Sequence, residues 1–144
     1  MLRLEAIDRH NFRDIVALSV DDAQKTYIAS NLYSLAQAYV QPECVPLAVY
    51  EKNEPVGFVM YAMDEDEREY SIYRVMIDKR YQSRGFGREA LRLLLERLQA
   101  DRERHVIFIS FAPENAWAKA LYESVGFVSD DRIEDGELIY RLNY

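Results

Sequence analysis

Apolar and polar residues alternate in Leu2-Arg3-Leu4-Glu5-Ala6-Ile7, which predicts a strand. The period then lengthens, with Phe12, Ile15, Val16 and Ser19 recurring at helical spacing behind an Asp8 or Asn11 cap. A second helical stretch, over 32–39, has Asn31 as its cap and ends before Pro42, because a proline pushes the residue ahead of it out of the helical region. Residues 46–51 and 56–63 are rich in β-formers and flank the polar Lys52-Asn53-Glu54, so they read as a hairpin. A third strand follows over 70–77. The charge run before it, Asp64-Glu65-Asp66-Glu67, reads as a solvated loop first and an attractor of cations second.

From 86 to 98, Ala90, Leu91, Leu94, Leu95 and Leu98 fall on one face of an amphipathic helix, with Arg and Glu on the other. A strand over 106–111, a helix over 114–124 and two strands over 127–131 and 137–142 complete the order β-α-α-β-β-β-α-β-α-β-β. There is no internal repeat, low-complexity tract or linker, and 144 residues is the size of one domain, so a single α/β (α+β) domain over 1–144 is expected.

Composition narrows the function by exclusion. The hydrophobic share of 49% is that of a globular chain able to bury a core. No apolar stretch approaches the ~20 residues of a membrane span, and the start lacks a signal-peptide core, so a cytoplasmic protein without a membrane partner is expected. Cys44 is the one cysteine, and with His10 and His105 it makes no plausible metal set, so no metal is expected. With 25 acidic against 18 basic side chains the net charge is −7, which disfavours nucleic acid, serves solubility first and would welcome a cationic partner.

The most informative segment runs from Arg74-Val75-Met76-Ile77-Asp78, a strand, through Gln82-Ser83-Arg84-Gly85-Phe86-Gly87-Arg88 into the long helix. Loop amides and the free N–H groups of a helix's first turn offer several donors to one anion, glycines let a phosphate come close, and Arg84 and Arg88 add charge. The loop lacks both the third glycine of the dinucleotide fingerprint and the Lys-Ser/Thr of a P-loop, so another phosphate-bearing cofactor is indicated. Further on, Asn115, Ala118 and Tyr122 are spaced to share nearly one helical face, followed by Gly126-Phe127.

Together, Gln82-x-x-Gly85-x-Gly87 after a strand and Asn115-x-x-Ala118-x-x-Leu121-Tyr122-x-x-x-Gly126-Phe127 resemble the GCN5-related N-acetyltransferase (GNAT) superfamily, and the element order agrees across the chain. The resemblance implies a mixed, mostly antiparallel seven-stranded sheet flanked by about four helices, with acetyl-CoA as co-substrate. It implies that the amides of Ser83, Arg84, Gly85, Phe86, Gly87 and Arg88 hold the pyrophosphate, that Val75, Met76 and Ile77 pair with the pantetheine arm, and that Asn115 contacts the cofactor. Tyr122 would then reprotonate the departing thiolate. A phenol is protonated at neutral pH and suits that role, whereas outside this pattern one of eleven tyrosines is a packing residue. Trp117 and Leu121 read as structural.

Within the superfamily, Arg74-Val75-Met76-Ile77-Asp78 and the following loop resemble bacterial spermine/spermidine acetyltransferases, although Val75, Ser83 and Tyr73 depart from that pattern. A polyamine such as spermidine or spermine is therefore the expected acceptor, in keeping with the acidic charge and with Tyr27, Tyr33 and Tyr39, whose faces suit ammonium groups. The alternatives are a protein or peptide N-acetyltransferase, in which a glutamate commonly stands where this chain has Ser110, and a non-catalytic acyl-CoA-binding module. For the proton acceptor, Glu69, Tyr73 and Glu43 are candidates with none singled out. A homodimer is plausible on strand edges and on the resemblance.

Overall fold

The run Val56-Gly57-Phe58-Val59-Met60 is buried at every position, so the strand carrying it must be covered on both faces. The computed structural model, which describes residues 1–144, shows how. Its strands are β1 (Leu2–Ala6), β2 (Cys44–Glu51), β3 (Glu54–Met63), β4 (Tyr70–Ile77), β5 (Val106–Phe111), β6 (Val128–Glu134) and β7 (Glu137–Asn143). Its helices are α1 (Phe12–Ala17), α2 (Asn31–Val40), α3 (Phe86–Gln99) and α4 (Ala116–Ser124), with a 3-10 turn at Lys79–Tyr81. The strands form one sheet in the order β1-β2-β3-β4-β5-β7-β6. Every neighbouring pair is antiparallel except β4 and β5. The expected mixed, mostly antiparallel seven-stranded sheet with four helices is thus the fold observed.

Each face of the sheet has its own core. On one, Val49, Val59 and Val75 meet Leu91, Leu94 and Leu98 of α3 and Tyr122 of α4; on the other, Phe58, Met60 and Met76 meet Ile15 of α1 and Leu18. Neighbours Val75 and Met76 fall in different cores because side chains alternate along a strand. The cap of α2 differs from the expectation: Ser30 accepts from the Tyr33 amide at 3.0 Å, while Asn31 is buried and donates to the Ile15 carbonyl at 2.8 Å, tying α2 to α1. Helix α4 begins two residues later than the pattern predicts, because Asn115 is its cap.

One irregularity opens the sheet beside β4. Strands β4 and β5 pair only from Tyr70↔Ile107 to Ile72↔Ile109 and then part. Beside the parting point the β3–β4 register slips between Met60↔Arg74 and Tyr61↔Ile72, leaving Tyr73 as a bulge residue that bends β4. From Tyr73 to Ile77, β4 therefore has no strand on its β5 side. Helix α3 starts beyond its carboxyl end, where open α/β sheets form ligand crevices.

Candidate active site

The turn that leads into α3 is held by its flanks. Asp78, buried just past β4, accepts from the Ser19 amide at 3.0 Å and the Arg80 amide at 3.0 Å, and pairs with the Arg80 guanidinium at 2.8 Å. Burial alone would raise the Asp78 pKa, but these donors outweigh it and hold the carboxyl below its ordinary range. Gln82 donates to the Ile77 carbonyl at 2.9 Å, folding the loop back over the strand end.

Between those anchors, the consecutive backbone amides of Ser83, Arg84, Gly85, Phe86, Gly87 and Arg88 find no acceptor within the protein. The last of them open the 14-residue helix α3, so the helix dipole adds to their pull on an anion. Ser83 (φ 65°) and Gly85 (φ 80°) are both left-handed, which turns successive N–H groups toward one concavity. The two glycines do different work. A Cβ on Gly85 would meet nothing within 4 Å, whereas one on Gly87 would lie 3.1 Å from the Trp117 ring. Gly85 thus supplies the left-handed cap, and Gly87 lets α3 approach α4.

A cavity of about 310 Å³ is lined by Ile77, Ser83, Gly85, Phe86, Gly87 and Arg88, with Trp117 and Leu121 from α4. Arg84 lies outside that lining, its guanidinium over the Tyr81 ring at 5.6 Å. Trp117 also lines a second cavity, of about 220 Å³, that fills the gap between β4 and β5. Its walls include Arg74 and Val75 of β4, Ser110 and Phe111 of β5, and Asn115 and Tyr122. Trp117, expected from the sequence to be structural, is also the wall shared by both cavities. Met76 reaches neither, since its side chain faces the opposite core, and only its backbone is offered here.

Tyr122 is 5% exposed, and its ring meets Phe111 edge to face at 5.4 Å and Phe127 at 6.1 Å. Its hydroxyl has no hydrogen-bond partner in the protein, although the residue lines the second cavity. Burial, and then the negative charge of Glu137, hold the phenol above the ordinary tyrosine range, so it remains a proton donor at neutral pH. The Oδ1 of Asn115 caps α4 by accepting from the Ala118 amide at 3.1 Å, which leaves the Nδ2 hydrogens for the cavity.

Opposite Tyr122, Arg74 donates to the Tyr73 carbonyl and to Gln37 Oε1, both at 2.9 Å, while its Nε is buried without a partner. Glu137, the first residue of β7, accepts from Ser110 Oγ at 3.2 Å. Through Tyr73 and Ser110 the second cavity adjoins a third, of about 280 Å³, whose walls carry Asp64, Glu67, Glu134 and Asp135 with Arg132. Of the three tyrosines expected near an amine, Tyr27 lines the second cavity, while Tyr33 and Tyr39 stand exposed on α2. Glu69 does not line the second cavity; its Oε2 accepts from the amides of His105 and Val106. Glu137 was not legible as a site residue, because only the pairing of β7 with β5 brings it to the cavity.

A model of the acetyltransferase (GNAT) family matches residues 12–127. A spermine/spermidine N(1)-acetyltransferase from Bacillus subtilis (strain 168) is 29% identical over 145 aligned positions, covering 96% of this chain and 95% of that protein. Among solved structures, an aminoglycoside acetyltransferase in complex with coenzyme A superposes with a TM-score of 0.82 at 18% identity, covering 99% and 95% of the two chains. A spermidine N-acetyltransferase from Vibrio cholerae, in complex with coenzyme A and spermine, superposes with a TM-score of 0.76 at 21% identity, covering 99% and 94%.

Proposed function

Because the chain belongs to the acetyltransferase (GNAT) family, we propose that it transfers the acetyl group of acetyl-CoA to a primary amine of a polyamine such as spermidine or spermine. The observation that carries this reading is that the cavity at the unpartnered amides of Ser83 to Arg88 and the cavity lined by Tyr122, whose hydroxyl has no protein partner, share Trp117 as a wall. A chain of phosphates followed by a narrow arm and a thioester fits that sequence of donors, groove and acid.

Acetyl-CoA supplies the thioester carbonyl that an amine can attack without a covalent enzyme intermediate. The loop amides, with Arg84 and Arg88, receive the phosphate oxygens. The strand edge at Val75, Met76 and Ile77, left open where β5 departs, offers backbone donors and acceptors to the pantetheine amides, and Asn115 Nδ2 adds a donor beside them. Tyr122 donates its proton to sulfur as the thiol leaves, and such general-acid help is worth roughly 10²–10⁴ in rate.

The acceptor reading rests on two supports. A relative similar over nearly the whole chain is a spermine/spermidine N(1)-acetyltransferase. The cavity beyond Tyr73 and Ser110 also carries more carboxylates than its one arginine balances, which suits a molecule with further ammonium groups behind the one that reacts. The test is release of coenzyme A thiol by purified protein with acetyl-CoA and a panel of spermidine, spermine, short diamines, amino acids, aminoglycosides and peptides. Spermidine and spermine are expected to give the highest kcat/KM. Turnover confined to peptides would move the assignment to protein acetylation, and none with any amine would leave a module that only binds the cofactor.

A further inference from the structure

We propose that Glu137 is the catalytic base, holding the acceptor's ammonium group between its carboxylate and the Tyr122 hydroxyl and taking the proton that frees the nitrogen to attack. This rests on the acetyl-transfer reading of the cavity and adds the residue that starts the reaction.

Glu137 begins β7 directly after the turn at Gly136 (φ 79°), and β7 lies against β5 with Ser110 opposite Ile139 and Phe111 opposite Leu138. That register delivers the carboxylate to the rim of the gap where β5 leaves β4. One oxygen is fixed by Ser110 Oγ at 3.2 Å, and the other is free. No cation pairs with Glu137, although Arg74 lines the same cavity. Tyr122, whose hydroxyl has no partner in the protein, lines the same cavity.

The other acids near the site line the adjoining cavity or stand elsewhere. Glu67 pairs with Arg132 at 2.9 Å, Asp64 accepts from the amides of Asp66 and Glu67, and Glu69 is held by two amides at the far end of β4. Glu43 does not line the cavity, and Tyr73 does, but burial raises its phenol and makes it a poor source of base. Glu137 is the one carboxylate that shares a cavity with Tyr122.

The pair divides the proton traffic. The ammonium gives one proton to Glu137, which returns it to solvent. The neutral nitrogen then bonds to the acetyl carbon as the carbon–sulfur bond breaks, with the electron pair of that bond going to sulfur. Tyr122 protonates the sulfur and recovers a proton from the nitrogen of the new amide, so amide, thiol and one proton in solution are the products. A buried neutral acid facing a free carboxylate is the arrangement that lets one site run both transfers at one pH.

Two variants test this, read on whichever amine the wild type acetylates, so that a wrong acceptor overturns only the polyamine assignment. Glu137→Gln keeps an oxygen for Ser110 and is expected to lower kcat/KM for the amine by about 10²–10⁴ while calorimetric affinity for acetyl-CoA stays within about twofold. Glu137→Ala is expected to recover part of the lost rate when formate or acetate is added. Full activity in Glu137→Gln overturns the proposal, as does a Glu137→Ala loss that formate leaves unchanged and that loss of acetyl-CoA binding accompanies. A wild type that releases no thiol with any amine overturns the proposed function and this inference together.

Discussion

The Tyr122 ring is wedged between Phe111 and Phe127, while its hydroxyl touches no protein acceptor, so packing and the proposed chemistry sit on different atoms of one side chain. Removing the oxygen alone separates them. Tyr122→Phe keeps the edge-to-face contacts and breaks no hydrogen bond, so the melting temperature is expected to move by no more than the few degrees that about 1 kcal/mol represents in a chain of this length. Steady-state kcat is expected to fall by about 10²–10⁴ with acetyl-CoA affinity kept. A variant that turns over at the wild-type rate would return Tyr122 to the packing role that most buried tyrosines have. Ser83 shows the opposite economy: a non-glycine residue held at φ 65° beside Gly85, it accepts a strained backbone where the turn must present its amides.

At the level of elements, the N-terminus of α4 joins a capping role and a proposed cofactor-binding role at Asn115. Its Oδ1 caps the helix and its Nδ2 faces the cavity, so stability and binding can be pulled apart by two substitutions. Asn115→Ala is expected to lose the cap, costing about 0.5–2 kcal/mol in denaturant unfolding, and to weaken acetyl-CoA binding as well. Asn115→Asp retains the capping oxygen and is expected to hold its stability, yet to bind acetyl-CoA less tightly, because a donor has been replaced by a negative charge. Equal affinities for Asn115→Asp and wild type would remove Asn115 from the cofactor contacts. The parting of β4 from β5 belongs to this scale too: a bulge at Tyr73 and a short parallel pairing create the groove, and no single side chain makes it.

Across the whole molecule the net charge of −7 is unevenly spread. Lys79, Arg80, Arg84 and Arg88 surround the turn into α3, whereas Asp64, Glu67, Glu134, Asp135 and Glu137 border the two cavities beyond the β4–β5 gap. On the proposed reading, an anionic co-substrate and a cationic acceptor would each be drawn to their own end. Raising ionic strength from about 0.01 to 0.15 M shortens the screening length from roughly 30 to 8 Å, so the KM for spermidine and the Kd for acetyl-CoA are both expected to rise severalfold. A spermidine KM that is flat in salt would argue against the acidic cavity as its site. The bounds of β4 and β5, the apolar face of α3 and the turn at 82–88 were legible in the sequence, because strand alternation, helical period and glycine placement are local properties of the chain. So was the Asn115 to Phe127 pattern. The cap of α2 was misplaced by one residue, since serine and asparagine both suit that position and only packing against Ile15 decides which turns inward. Glu137, the double wall made by Trp117 and the gap that joins loop to acid were decided by tertiary structure alone. They depend on β7 inserting between β5 and β6 and on where β4 bends, and contacts between strands distant along the chain leave no period or motif in it.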